Sequence, residues 1–80
     1  MIKRYWIYMV TGNFNTNIKY NNKIYHIQTE VIRGNVITQV FDGGKIIHSE
    51  RNKYTNYTDS VKQHKNTEKL VKTGKFIAND

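Results

Sequence analysis

The chain has 80 residues, with 13 lysines and arginines against 6 aspartates and glutamates, and neither cysteine nor proline. A chain of this length forms one domain at most and hides only about 60–65% of its unfolded surface, so its core is thin. Disulfide staples are excluded, which fits a cytoplasmic protein and leaves stability to packing, a partner subunit or a ligand. The formal net charge of +7 favours anionic partners, nucleic acid or an acidic protein. A competing reading is that the lysines follow an AT-rich composition heavy in Asn, Ile and Tyr and serve solubility.

The chain opens with Met1-Ile2-Lys3-Arg4 and an apolar run from Tyr5 through Trp6 and Tyr8 to Val10. The run is shorter than the roughly 7–15 residues of a signal-peptide core and lacks a small-residue cleavage site, so residues 4–10 are expected to form a strand. No segment approaches the roughly 18 apolar residues that cross a bilayer.

Next comes a hairpin. Phe14, Thr16, Ile18 and Tyr20 alternate with Asn15, Asn17 and Lys19. Asn21-Asn22 tolerates the positive φ of a two-residue turn, and Tyr25, Ile27 and Thr29 alternate back. This register sets Ile18 opposite Tyr25, Thr16 opposite Ile27, Phe14 opposite Thr29 and His26 opposite Asn17. Gly34-Asn35 reads as a break, residues 36–41 as a third strand, Gly43-Gly44 as a turn and residues 45–50 as a fourth strand. With Gly43-Gly44 as the loop, Phe41 faces Ile46 and Val40 faces Ile47, so both faces carry apolar groups near the turn.

Residues 51–58 are polar and aperiodic and read as a loop. Asp59 is the expected N-cap, residues 60–73 the helix, and Gly74 its terminator. The stripe facing the sheet holds Val61, His64, Thr67, Leu70 and Val71, which is thin for a docking face. Phe76-Ile77 is expected to fold back onto the sheet. The expected fold is therefore α+β. An antiparallel β-meander of four to five strands carries one C-terminal helix packed on the sheet. Residues 1–12 form an extension or extra edge strand, 13–50 the meander and 59–74 the helix. The same elements can also curl into an SH3-like barrel.

No phosphate-binding loop, dinucleotide fingerprint, nucleophile elbow or CxxC pair is present. The glycines of Asp42-Gly43-Gly44 join two strands and read as turn glycines. His26, His48 and His64 lack metal-ligand spacing, so neither metal nor cofactor is expected. Asp42 and Asp59 are accounted for by turn and cap, which leaves too few carboxylates for acid–base catalysis and points to a non-enzymatic protein. His64 is expected at the helix–sheet boundary, hydrogen-bonded and structural. The lysines carry more information. Lys62, Lys65, Lys69 and Lys72 step by 3, 4 and 3 along one helix face, and Lys75 extends the row. Such a row suits a phosphate backbone, or is simply a solvated face. Exposed aromatics beside it would favour nucleic acid, because bases stack on them, and Tyr5, Trp6, Tyr8, Tyr54 and Tyr57 are the candidates.

Tyr25-His26-Ile27-Gln28-Thr29-Glu30 makes one motif, and Ile37-Thr38-Gln39-Val40-Phe41 with Gly43-Gly44 and Ile46-Ile47 a second. Gln63-His64, Leu70, Gly74 and Phe76 complete the set. Together they resemble a small bacterial protein family to which no activity is assigned. Its members carry a tyrosine-histidine-valine-glutamine-threonine-glutamate strand, a phenylalanine-x-glycine-glycine turn and a glutamine-histidine pair in the C-terminal helix. The resemblance spans residues 14–76 and singles out His26, Gln28, Glu30, Gln63 and His64 as a possible polar site. It also makes Met9 an alternative start, with residues 1–8 an extension. The reading that follows is a small basic binding module whose first candidate partner is nucleic acid. The rival is a protein-interaction module or homo-oligomer that pairs the edge strand at residues 5–10.

Overall fold

Period-two alternation and paired turn residues build the sheet. A computed structural model describes residues 13–75. Strands β1 (Phe14–Tyr20), β2 (Lys23–Ile32), β3 (Asn35–Asp42) and β4 (Lys45–Lys53) run antiparallel in the order β1-β2-β3-β4. Helix α1 (Tyr57–Thr73) packs on one face against β1, β2 and β3. This is the expected α+β meander. β1 does not pair with β4, so among the described residues the sheet stays open rather than curling into an SH3-like barrel. The expected strand at residues 4–10 and the return of Phe76-Ile77 lie outside the described residues.

Each hairpin turns on two residues of positive φ, which match the right-handed twist of the flanking strands. They are Asn21 and Asn22 at 53° and 64°, Arg33 and Gly34 at 50° and 79°, and Gly43 and Gly44 at 59° and 89°. The first hairpin has the expected register, including Ile18 opposite Tyr25, Thr16 opposite Ile27 and His26 opposite Asn17. The second turn is Arg33-Gly34, not Gly34-Asn35, because Asn35 pairs with Ile32 and begins β3. At the third turn Phe41 faces Ile46 as expected, but Val40 faces His48. A bulge at this point leaves Ile47 as the extra residue and re-aims β4.

Two boundaries differ from those the sequence suggests. β4 continues through Arg51, Asn52 and Lys53, paired to Ile37, Val36 and Asn35, because β3 is long enough to offer them partners. α1 starts at Tyr57 because Asn56, not Asp59, is the N-cap. Asn56 Oδ1 accepts the Asp59 N–H at 2.8 Å, while Asp59 Oδ2 accepts from Thr55 Oγ1 at 2.8 Å and from Asn56 Nδ2 at 3.3 Å. Asp59 thus holds the side chains of Thr55 and Asn56 from inside the first turn. Gly74 terminates the helix as expected, at φ 68°. Gly74 N–H donates to Val71 O and Lys75 N–H to Leu70 O, which satisfies carbonyls the helix leaves open.

Alternation sorts the side chains. Phe14, Thr16, Ile18, Tyr25, Ile27, Thr29, Val36, Thr38, Val40, His48, Glu50 and Asn52 share the helix side. The apolar core is small, with Tyr25, Ile27, Val40 and Val71 in contact and Ile18 and Tyr20 packed against them. Thr29, Thr38, Ser60, Gln63, His64 and Thr67 are buried as well. The thin stripe of α1 therefore docks through polar side chains along most of its length and through Val71 near its C-terminal end.

Candidate functional site

The polar half of the helix–sheet interface is one connected chain of hydrogen bonds. Asn52 Nδ2 donates to Gln63 Oε1 at 2.9 Å and to Glu50 Oε2 at 2.8 Å. Gln63 Nε2 donates to Thr38 Oγ1 at 3.0 Å, with longer bonds to the Val36 and Glu50 carbonyls at 3.3 and 3.4 Å. Thr38 and Thr29 hydroxyls are 2.7 Å apart, Thr29 Oγ1 is 2.7 Å from His64 Nδ1, and His64 Nε2 is 2.8 Å from Thr16 Oγ1. Thr16 donates to Glu68 Oε2 at 2.8 Å, which also lies 3.5 Å from His64 Nε2.

The two ends of this chain set its direction. Carbonyls only accept, so the Gln63 amide must present its nitrogen to Val36, Glu50 and Thr38. A carboxylate only accepts, so Thr16 gives its proton to Glu68 and receives one from His64 Nε2. His64 Nδ1 is then the acceptor for Thr29, which in turn accepts from Thr38. Every link is satisfied by a neutral imidazole carrying its proton on Nε2. A proton on Nδ1 would reverse Thr29, so that Thr38 Oγ1 accepts from both Thr29 and Gln63 and its own proton is left without an acceptor among the described residues. Burial holds the His64 pKa below the ordinary 6.5, Lys65 and His26 push the same way, and Glu68 opposes them. The nitrogen able to act as a base faces the fully buried Thr29, not solvent.

The five residues singled out as a polar site are divided by the sheet. Gln63 and His64 sit in the buried chain. His26, Gln28 and Glu30 lie on β2 with their side chains on the face opposite α1. There His26 Nδ1 and Nε2 lie 2.9 and 3.1 Å from the amide oxygens of Asn17 and Asn15, with the Phe41 ring 6.0 Å away. Ile24 and Ile46 on this face are 62% and 50% exposed. Among the described residues no group of three or more histidines and carboxylates is placed to hold a metal ion. No described helix is long and apolar enough to cross a membrane.

Lys62, Lys65, Lys69, Lys72 and Lys75 are all exposed. At 100° per residue the four on α1 fall within about 80° of arc and span about 15 Å. None forms an ion pair among the described residues. Four acids among the described residues are engaged elsewhere. Glu68 is turned to Thr16 and His64, Asp59 accepts from Thr55 and Asn56, Asp42 pairs with Lys23 at 2.9 Å, and Glu50 accepts from Asn52.

Beside this row a pocket of about 220 Å³ opens between β1 and α1. Phe14, Tyr57 and Val61 supply its apolar lining, and Thr16, His64 and Glu68 its polar lining, with Lys65 also bordering it. The Phe14 ring lies 5.6 Å from both Tyr57 and His64, tilted by 58° and 59°. Of the aromatics expected near the lysines, Tyr57 and Tyr54 are exposed, while Tyr5, Trp6 and Tyr8 lie outside the described residues.

The fold and site define a two-layer α+β domain with a basic helix face and a polar helix–sheet interface. Comparison with known proteins found no matching family model, no similar curated protein and no similar solved structure. The family resemblance of residues 14–76 thus rests on its motifs alone. Sequence reasoning found Gln63 and His64 but missed their partners Thr16, Thr29, Thr38, Asn52 and Glu68. A usable signal was present, because threonines occupy inward positions on three neighbouring strands opposite a helix stripe that carries Gln and His.

Proposed function

We propose that this protein is a small non-enzymatic binding module whose lysine-lined helix face docks on the phosphate backbone of nucleic acid. The observation that carries the reading is the exposed row Lys62, Lys65, Lys69, Lys72 and Lys75, which forms no ion pair among the described residues. On α1 its lysines follow one another at about 4.5–6 Å of rise over a span of about 15 Å, a spacing that lets successive lysines reach along a phosphate backbone. The test is nucleic-acid affinity against salt. Replacing Lys65 and Lys69 with Gln is expected to weaken binding to all sequences alike and to lower the log–log salt slope by about 1.4–1.8, near 0.7–0.9 for each phosphate no longer neutralised. Folding should hold, because exposed substitutions cost under about 0.5 kcal/mol. If the parent protein binds neither DNA nor RNA at low salt, where charge attraction is strongest, the reading fails.

A second reading is favoured by the exposure of Ile24 and Ile46 on the sheet face opposite α1. Exposed apolar side chains of this kind suit a protein partner or a second copy of the chain, with the lysines then serving solubility or meeting an acidic protein. Sedimentation run beside the salt titration separates the two, because only this reading expects association without nucleic acid.

A further inference from the structure

The lysine row accounts for phosphate binding, but it leaves the pocket beside it without a role. Three features of that pocket point to one occupant. Its walls are aromatic and apolar, from Phe14, Tyr57 and Val61, and Tyr57 is 49% exposed, so a ring can reach it from solvent. Its volume of about 220 Å³ lies below the roughly 300–1,000 Å³ of pockets for drug-sized ligands, and suits a single planar ring system. Its lining includes one acid and one base. The Glu68 carboxylate, bonded to Thr16, repels phosphate, while Lys65 belongs to the exposed row. A chain that lays its phosphates along the lysines thus meets an apolar recess that only its uncharged part can enter.

We infer that this pocket accepts an unstacked nucleobase, so that the partner is single-stranded nucleic acid with its backbone on the lysine row and one base against Phe14 and Tyr57. The inference rests on the reading of the lysine row. A base held in a duplex is stacked and paired and cannot enter the pocket, whereas a single strand presents its π-faces freely. Recognition by stacking tolerates different bases, so sequence preference should be modest.

Fluorescence anisotropy with a labelled 12-nucleotide single strand, and with the duplex of the same sequence, tests this on the full chain. Tyr57→Ala is expected to weaken single-strand binding about 5- to 150-fold, the equivalent of one base stack removed. Duplex affinity and the salt slope of single-strand binding should stay at parental values, because every lysine on the row is still present. Tyr57→Phe, which keeps the ring, should bind as the parent does and so controls for damage to the helix start. Equal weakening toward both nucleic acids overturns the pocket inference, as does no weakening of single-strand binding. Either result leaves the lysine reading standing if Lys65→Gln with Lys69→Gln still lowers the salt slope. A Tyr57→Ala change that alters sedimentation but not nucleic-acid binding would give the pocket to a second copy of the chain and overturn the inference. A parent that binds no nucleic acid at low salt overturns both readings.

Discussion

Thr29 and Thr38 are adjacent, fully buried and hydrogen-bonded to each other, yet removing their hydroxyls should have unequal costs. Thr29→Val keeps the shape and deletes an oxygen with two jobs. His64 Nδ1 loses its donor and the Thr38 hydroxyl loses its acceptor, both away from water. Each stranded group costs about 1–3 kcal/mol, and the eased burial of valine returns part of that, so a net loss of about 2–4 kcal/mol is expected. Thr38→Val strands less. Gln63 Nε2 keeps the Val36 and Glu50 carbonyls, and Thr29 still donates to His64. Its cost should be near that of one ordinary hydrogen bond, about 0.5–1.5 kcal/mol. The double variant removes the orphaned Thr38 hydroxyl along with its missing acceptor. It should therefore cost less than the sum of the singles, with a coupling of about 1–2 kcal/mol. Urea denaturation at neutral pH measures all three from midpoints at unchanged m-value. Against a total stability of roughly 4–12 kcal/mol for a chain this size, the Thr29→Val shift should be unmistakable. Equal midpoints for the two single variants, or strict additivity in the double, would refute the one-directional chain and with it the neutral state of His64.

Two further outcomes are expected. His64 has a folded pKa below its ordinary value of 6.5, so the unfolded chain binds its proton first as pH falls. Its contribution to stability is complete above pH 6.5 and is lost on acidification through the folded pKa, a trend that urea midpoints followed down to about pH 5 should show and that His64→Gln should abolish. Gly74→Ala should be worse than Gly34→Ala, although both glycines have positive φ, at 68° and 79°. A Cβ at Gly34 meets open space, so only the left-handed strain of about 1–2 kcal/mol applies, whereas a Cβ at Gly74 runs into the Tyr20 ring and must displace it. Equal thermal shifts for the two variants would show that the helix end does not press on β1.

Short-range signals in the chain carried most of the fold. Side-chain period and turn residues act over a few positions, so the strands, the register of the first hairpin and the stop at Gly74 were all legible without a third dimension. So was the arc of the lysine row, since helix geometry alone places residues three and four apart on one side. Boundaries escaped where competing local signals were settled at longer range. Asp59 is a good cap in isolation, but Asn56 reaches its N–H and draws the helix back to Tyr57. The polar stretch after residue 50 looks like loop until β3 offers Arg51, Asn52 and Lys53 a ladder to extend. The buried chain from Asn52 to Glu68 depended wholly on tertiary structure. Its members lie up to 52 residues apart, and only the docking of α1 across β1, β2 and β3 brings them together. Alternation along β2 had already set His26, with Gln28 and Glu30, on the face away from Ile18, and the docking of α1 on the Ile18 face is what parted them from Gln63 and His64.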